Sequence, residues 1–213
     1  VAADRSRAHQ ADVVGNTIEN AQVVIPDLRN PVIEIDAFAT GTLESLRSFG
    51  AASPINEVLG GQLTNVEVGG EASIDLSISF PVKDKLNYDF SGRIRSSDGS
   101  VRVGGFAAPI TELNGIVLVA RDSISAESLF GRFLGNPVDI ELARTDDPMS
   151  PHSVLLDASG STTVEALIDE LGLPLAEVAS GRMEYHANIR FPNTLAETPG
   201  VMQINVESEM QGF

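Results

Sequence analysis

Apolar and polar residues alternate over two neighbouring stretches of the chain, residues 71–80 and 86–95. A period of two places the apolar side chains on one face of a β-strand and the polar side chains on the other. Pro81 ends the first stretch, and the polar residues 83–85 separate it from the second. We therefore predict a long hairpin with one apolar face.

The same alternation recurs along the rest of the chain, most clearly over residues 182–191. Gly69-Gly70 and Asp98-Gly99 have the composition of tight turns between strands. The chain is thus predicted to be mainly β. The further predicted strands are 21–28, 31–39, 62–68, 101–103, 115–120, 123–130, 132–134, 137–143 and 153–158.

Two stretches have the helical period instead. Residues 43–51 place apolar side chains on one side of a short helix, with Thr42 as its N-cap. Residues 163–171 form an amphipathic helix whose cap lies among residues 161–163 and which Gly172 ends. We expect these helices to pack on, and cap, the apolar face of the strands.

Residues 43–62 and 164–183 resemble each other. Each runs from a helix through a proline to a Glu-Val pair and a glycine, and a strand that ends in Phe-Pro follows. In the first copy, residues 55–59 predict a short helical turn that ends at Gly60-Gly61. An internal repeat of strands with a packing helix favours an elongated architecture over a closed domain.

The charge of the chain excludes several classes of partner. Its 30 acidic and 14 basic residues give a net charge of −16. Nucleic-acid binding requires basic surfaces, and so does docking on an anionic membrane, so neither is expected. The chain has no cysteine and no apolar run of membrane-spanning length. Both ends resemble cut ends, which indicates a piece of a longer protein.

Motifs for catalysis or metal binding are missing from the sequence. It contains no dinucleotide or phosphate-binding loop, no HExxH and no GxSxG elbow. His9, His152 and His186 are far apart, and none has a metal ligand at suitable spacing. We therefore expect a protein that is not an enzyme and that needs no cofactor and no metal.

Several stretches of the chain have specific motifs. They are IPDLRNPVIEIDAF (25–38), SPINEVLGG (53–61), GGEASIDLSISFPV (69–82), SGRIRSSDGSVRV (91–103), APITELNGIVLVARDSISAESLFGRFLGNPVDIELAR (108–144) and INVESEMQG (204–212). The most specific part is the pattern of a strand, P-I-T-x-L-N-G, a second strand and L-G-x-P-V. Together these stretches resemble the central region of the YhdP family, in the AsmA-like group of bacterial envelope proteins.

The resemblance implies the periplasmic part of an inner-membrane-anchored protein of a Gram-negative bacterium. Such proteins curl a long antiparallel sheet into a half-pipe, and its apolar groove carries phospholipid acyl chains between the membranes. The expected partners are these acyl chains and, in addition, envelope proteins. Membrane contact is expected only through parts of the full-length protein outside this chain. The family offers no catalytic residues to carry over.

The predicted lipid-facing residues are the apolar positions of the two best alternating stretches. They are Ile74, Leu76, Ile78, Phe80, Leu86, Tyr88, Phe90, Ile94, Met183, Tyr185, Ile189 and Phe191. Burying each methylene of an acyl chain on such a surface is worth about 0.8 kcal/mol.

The predicted organisation is an elongated, curled sheet with two short helical segments. Residues 1–20 form a poorly ordered lead-in, residues 21–145 a first β-groove unit with a short helix, and residues 146–151 a linker. Residues 152–213 form a second, shorter unit that continues the same sheet. From the residues alone, one-sided strands favour the closed core of a β-sandwich. In that alternative the chain is a non-catalytic interaction or scaffold module of the cell envelope.

Overall fold

The computed structural model describes residues 4–8, 11–13, 16–53, 55–84, 87–104, 106–145, 150–172 and 181–210. Its strands are β1 (Asp4–Ala8), β2 (Ala11–Val13), β3 (Asn16–Ile25), β4 (Val32–Thr42), β5 (Val66–Pro81), β6 (Asp89–Val103), β7 (Ile110–Ala120), β8 (Ser123–Phe133), β9 (Asn136–Arg144), β10 (His152–Thr163), β11 (Arg182–Pro192) and β12 (Gln203–Met210). The helices are α1 (Leu43–Ala51), α2 (Ile55–Val58) and α3 (Val164–Leu171), and Gln62–Thr64 forms a 3-10 turn.

All the strands of the described residues lie in one antiparallel sheet. From β3 to β12 each strand pairs with the next strand in the chain, while β1 and β2 pair with β3. Within the described part of the chain, β1 and β12 do not pair with each other, so the sheet stays open. The predicted mainly-β, open-sheet fold is confirmed. The β-sandwich alternative is wrong, because a sandwich needs two sheets.

Rows of apolar side chains cross the sheet on one face. Cα pairing aligns one row over β4–β8 and a second row over β8–β12, so the alternation within each strand becomes a continuous apolar surface. The first row is Ala39, Ile74, Ile94, Val117 and Ala126. The second row is Leu129, Ile140, Ala158, Ala187 and Val206. We call the face that carries these two rows the trough.

The sheet curls around the trough. Side chains from β6 and from β12, among them Val101 and Val206, line one common cavity. These strands are six positions apart in the sheet. In a flat sheet, a separation of six positions corresponds to about 29 Å, which is too far for shared packing. The sheet must therefore bend so that both strands face the same space.

A line of backbone irregularities crosses β5–β8 and accounts for the bend. The pairing register shifts in every pair from β5·β6 to β8·β9. Gly70, Asp98, Gly115 and Ser128 have positive φ along this line. Such β-bulges bend a strand and increase its twist. We call this line the crease.

The opposite face of the sheet is polar. Arg95 bonds Asp75 at 2.6 Å, and Arg93 bonds Glu127 at 3.2 Å. Arg132 likewise pairs with Glu112, and Arg102 with Glu67. All four ion pairs are solvent-exposed, and such pairs contribute roughly 0–1 kcal/mol each. They keep this face hydrated rather than hold the fold together.

The three helices all pack on the trough. Thr42 caps α1, since its Oγ1 accepts a hydrogen bond from the Ser45 amide at 3.1 Å. Thr163 caps α3 in the same way through the Ala166 amide at 3.2 Å, and Gly172 ends α3 in the left-handed conformation. The predicted helix starts and the Gly172 stop are confirmed. The helical turn predicted after residue 54 is also present, as α2.

The two predicted tight turns are wrong. Gly69-Gly70 lies inside β5, and Asp98-Gly99 lies inside β6. Both dipeptides form bulges of the crease, and these bulges oppose each other. Turns and bulges both require residues that tolerate positive φ, so the same dipeptides are typical of either structure.

Two further predictions differ from the structure: the order of residues 1–20 and the start of the strand predicted from residue 62. Residues 1–20, expected to be poorly ordered, include β1, β2 and the start of β3. Backbone pairing at a sheet edge does not require the apolar alternation that the prediction used. The strand predicted from residue 62 begins only at Val66, after the 3-10 turn. Some predictions fall outside the described residues. They concern Pro54, Leu86, residues 146–149 of the predicted linker (146–151) and the repeat positions within 173–180.

Substituting Gly70 tests the close contact at the crease. A Cβ at Gly70 (φ 97°) would lie 2.8 Å from the Gly99 Cα, whereas one at Gly135 (φ 77°) meets nothing within 4 Å. Gly135→Ala should therefore cost only the backbone strain, about 1 kcal/mol. Gly70→Ala should cost about 3 kcal/mol in the free energy of unfolding, measured in urea. Equal losses for the two variants would contradict a close approach of β5 and β6.

Candidate functional site

The trough contains an apolar cavity between β6 and β12. Its empty space is about 710 Å³, part of it open to solvent. Among the described residues, no charged side chain lines it. The lining residues are Val101, Val103, Phe106, Ala108, Ile110, Phe133, Val138, Leu156, Ala158, Leu167, Tyr185, Ala187, Ile189, Phe191, Ile204 and Val206.

Small side chains on the trough floor make room for this cavity. Ala158 of β10 and Ala187 of β11 are Cα partners, so two methyl groups face each other at its centre. The preceding pair on the same face, Leu156 and Ile189, is larger. These two small side chains leave a hollow that the surrounding side chains do not fill. An apolar hollow favours apolar molecules over water.

Of the described residues that line the cavity, Tyr185 alone has a polar group in its side chain. It is only 7% exposed, and its hydroxyl has no hydrogen-bond partner among the described residues. Burial raises the pKa of the Tyr185 phenol above its ordinary value, so the group is neutral at physiological pH. Its ring lies over Gly160, where a Cβ would come within 3.0 Å of the hydroxyl. The described lining of the cavity is therefore uncharged.

Helix α3 closes one end of the cavity. Leu167 of α3 belongs to the lining. One turn further, the Glu170 carboxylate accepts hydrogen bonds from the Ala107 amide at 2.7 Å and the Ala108 amide at 3.0 Å. These amides belong to the segment that follows β6, so Glu170 fixes α3 to the opposite wall of the trough.

The segment after α2 forms a second connection across the trough, in addition to the one that Glu170 makes. The Gly60 carbonyl accepts hydrogen bonds from the Thr194 amide at 2.9 Å and the Thr194 hydroxyl at 2.8 Å. Nearby, the Ser153 hydroxyl donates to the Leu59 carbonyl at 3.2 Å. The Gln62 side-chain amide donates to the Pro192 carbonyl. These bonds tie the β4–β5 side of the trough to the β10–β11 side.

A second pocket of mixed polarity adjoins the cavity at this crossing. Its empty space is about 790 Å³, including open solvent. Val103 and Phe191 line both this pocket and the cavity, so the two spaces share a wall. We call it the rim pocket. Its lining is Gln62, Thr64, Asn65, Val66, Glu67, Val103, Gly104, Phe191, Pro192 and Met202.

The predicted lipid-facing residues of β11 lie at the cavity. Tyr185, Ile189 and Phe191 line it. Met183 is buried in the cluster that α3 covers. The side chain of Met183 thus supports the wall next to α3 without lining the cavity.

The predicted residues of β5 and β6 lie in the same trough but under helices. Ile74, Leu76 and Ile94 pack in the cluster that α1 covers. Ile78, Tyr88 and Phe90 pack in the cluster that α2 covers. Phe80 is half-buried beside its Cα partner Ile33, and Leu86 lies outside the described residues. In this part of the trough, helical side chains occupy the surface that was predicted to face lipid.

Most of the cavity lining was missed by sequence reasoning. Val101 and Val103 alternate in a stretch of only three predicted strand residues, and Ile204 and Val206 in a stretch near the chain end. Their alternation was a usable signal, but too short to stand out. Phe106 lies in the segment between β6 and β7. Its ring packs edge-to-face on the ring of Phe133, with 6.5 Å between the two ring centroids. That contact depends on the curl and leaves no trace in the local sequence.

In the described part of the chain, the His, Asp and Glu side chains that could act in catalysis or metal binding are dispersed. His186 approaches Asp157 at 3.4 Å, and both are on the surface. Among the described residues, no three His, Asp or Glu side chains come together as a metal site would require. Across the same residues, no helix has both the length and the apolar character needed to cross a membrane.

Comparison with known proteins gives one match. The family model described as YhdP protein matches residues 5–213. No curated protein and no solved structure shows significant similarity to the chain. The family match covers nearly the whole chain and confirms the resemblance inferred from its motifs. The chain therefore belongs to the YhdP protein family.

Proposed function

We propose that this chain is a segment of an intermembrane phospholipid-transport conduit and that its trough binds acyl chains. The observation that carries the proposal is the uncharged cavity on the concave face of an open, curled sheet. In this proposal the chain is the periplasmic part of an inner-membrane-anchored protein of the Gram-negative envelope. Membership of the YhdP family supports a role in envelope lipid transport.

The lining chemistry suits an acyl chain better than a polar metabolite. Burying a methylene from water is worth about 0.8 kcal/mol, so a tail gains energy along its whole length. A polar ligand would need fixed hydrogen-bond partners, and among the described side chains of the cavity only Tyr185 offers one. A surface that holds a tail without fixing its register lets the tail slide, as transport requires.

The described lining of this cavity does not favour a catalytic function. Catalysis by acid, base or nucleophile needs positioned polar groups within reach of each other. The cavity has one neutral phenol among apolar side chains. We therefore propose binding and passage of lipid, without chemical conversion.

Site-specific photo-crosslinking tests the lipid position on β12. Ile204 lines the cavity, whereas the adjacent Asn205 points to the other face and bonds Glu207. A photoreactive residue at Ile204 should become linked to phospholipid during expression in a Gram-negative host, as detected by mass spectrometry. The same residue at Asn205 should give little or no adduct. Equal lipid labelling at both positions would contradict the proposal, and exclusive protein adducts at Ile204 would favour the interaction-module alternative.

Filling the hollow tests the cavity itself. Ala187→Leu adds three carbon atoms at the centre of the floor, and Ala143→Leu adds the same atoms at an exposed position on the outer face of β9. The Ala187 variant should retain several-fold less phospholipid, as measured by native mass spectrometry. Its free energy of unfolding should fall by no more than about 3 kcal/mol. The Ala143 variant should match the unmodified chain. Unchanged lipid retention in a folded Ala187 variant would place the lipid elsewhere.

A further inference from the structure

Helix α2 and the three residues after it lie across the floor of the trough, and we call residues 55–61 the strap. Its side chains Ile55 and Leu59 are buried, at 8% and 9% exposure. They pack in one cluster with Phe90 of β6 and Ile124 of β8. The strap therefore covers an apolar part of the trough with apolar side chains of its own.

The floor under the strap adjoins the cavity. Ile189 and Phe191 line the cavity and also pack in the cluster that α2 covers. Phe90 and Ile124 belong to the same cluster but are not among the described lining residues of the cavity. An acyl chain that extends from the cavity onto this floor must therefore displace the side chains of the strap.

Both ends of the strap are joined to the β4–β5 side of the trough. The strap follows α1 in the chain and precedes the 3-10 turn that leads into β5. The Arg47 guanidinium of α1 donates to the Leu63 carbonyl of this turn at 2.8 Å, so the two flanking elements are also bonded to each other. Gly60 and Gly61 have φ angles of 59° and 79°, which glycine adopts without strain. This side of the strap thus has the features of a hinge.

On the β10–β11 side, the strap is held by apolar packing and by neutral hydrogen bonds among the described residues. The Gly60 carbonyl accepts hydrogen bonds from the amide and the hydroxyl of Thr194, at 2.9 and 2.8 Å. The Leu59 carbonyl accepts one from the Ser153 hydroxyl at 3.2 Å. Within the strap, Asn56 Oδ1 is buried without a hydrogen-bond partner in the described structure. An orphaned acceptor destabilises the closed position, because water can bond it once the strap opens.

We propose that the strap is a gate, which opens from its β10–β11 side and lets acyl chains pass along the trough. In the open state, an acyl chain takes the places of Ile55 and Leu59 over Phe90 and Ile124. This exchange replaces one apolar contact by another, so the floor stays covered in both states. The inference rests on the proposed function, because it takes the passing molecule to be a phospholipid.

A disulfide between the strap and the segment after β11 tests the gate. A Cβ at Gly61 would lie 3.5 Å from the Thr194 Cβ, which is within the range of about 3.5–4.5 Å found in disulfides. The chain has no cysteine, so oxidation of the variant Gly61→Cys/Thr194→Cys closes this bond and no other within the chain. The reduced variant is the matched control, because it carries the same two substitutions.

Lipid crosslinking reports whether the strap opens. The full chain carries the two cysteines and a photoreactive residue at Phe90 or, separately, at Ile204. It is incubated with phosphatidylcholine vesicles and irradiated, and the lipid adducts are quantified by mass spectrometry. At Phe90, the reduced form should give several-fold more lipid adduct than the oxidised form. Ile204 lines the cavity outside the cluster under α2, so the two forms should give similar adducts there.

Thr194→Val tests the same gate without cysteines. It removes the hydroxyl that donates to Gly60 and keeps the backbone amide. In a chain with the photoreactive residue at Phe90, it should raise the lipid adduct roughly fivefold, the effect of one hydrogen bond. Thr198→Val is the matched control, since Thr198 is an exposed threonine of the same segment, and it should leave the adduct unchanged. No rise for Thr194→Val, or an equal rise for both variants, would contradict the gate.

The outcomes separate the gate from the lipid-binding function. Equal lipid adducts at Phe90 in the oxidised and reduced forms would overturn the gate. Labelling of Ile204 without any labelling of Phe90 would also overturn it, because the strap would then be a permanent cover. Both results leave the acyl-chain cavity standing. The absence of lipid adducts at both positions would overturn the gate and the proposed function together.

Discussion

An apolar sheet face without a second sheet to cover it is the constraint on which this structure depends. Strands β4–β12 all direct apolar side chains into the trough, and exposure of so much apolar surface to water is unfavourable. Curling brings parts of the face together, and the helices cover other parts. The cavity is what remains where neither curl nor helix reaches. Structure and proposed function thus share one cause, an apolar surface that the chain itself covers incompletely.

The helices also decide where that remaining surface lies. Along β5 and β6, α1 and α2 occupy the trough, so residues such as Phe90 contact helical side chains. Between β6 and β12 the trough is bounded by α3, which Glu170 fixes, and by the segment around Gly60. The rim pocket at this second boundary adds polar groups beside the apolar lining of the cavity.

The bend of the sheet depends on residues whose role in bending is hard to predict from the local sequence. Gly70 and Gly115 in the crease can be recognised as special, but Asp98 and Ser128 adopt positive φ without any glycine. A bulge in one strand forces its neighbour to adjust, because paired backbones must keep their hydrogen bonds. The irregularities therefore extend across neighbouring strands, and a dipeptide that signals a turn locally becomes part of a bend in the whole sheet.

The sequence by itself determined the alternating strands, the capped helices and the family. Each of these follows from local chemistry: side-chain period, the Thr42 and Thr163 hydroxyls, and linear motifs. Only the tertiary structure decided which apolar residues face empty space and which face a helix. Ile74 and Ile189 have the same pattern around them, yet α1 covers the first and the cavity borders the second. That difference is set by contacts between residues far apart in the chain, which no local period encodes.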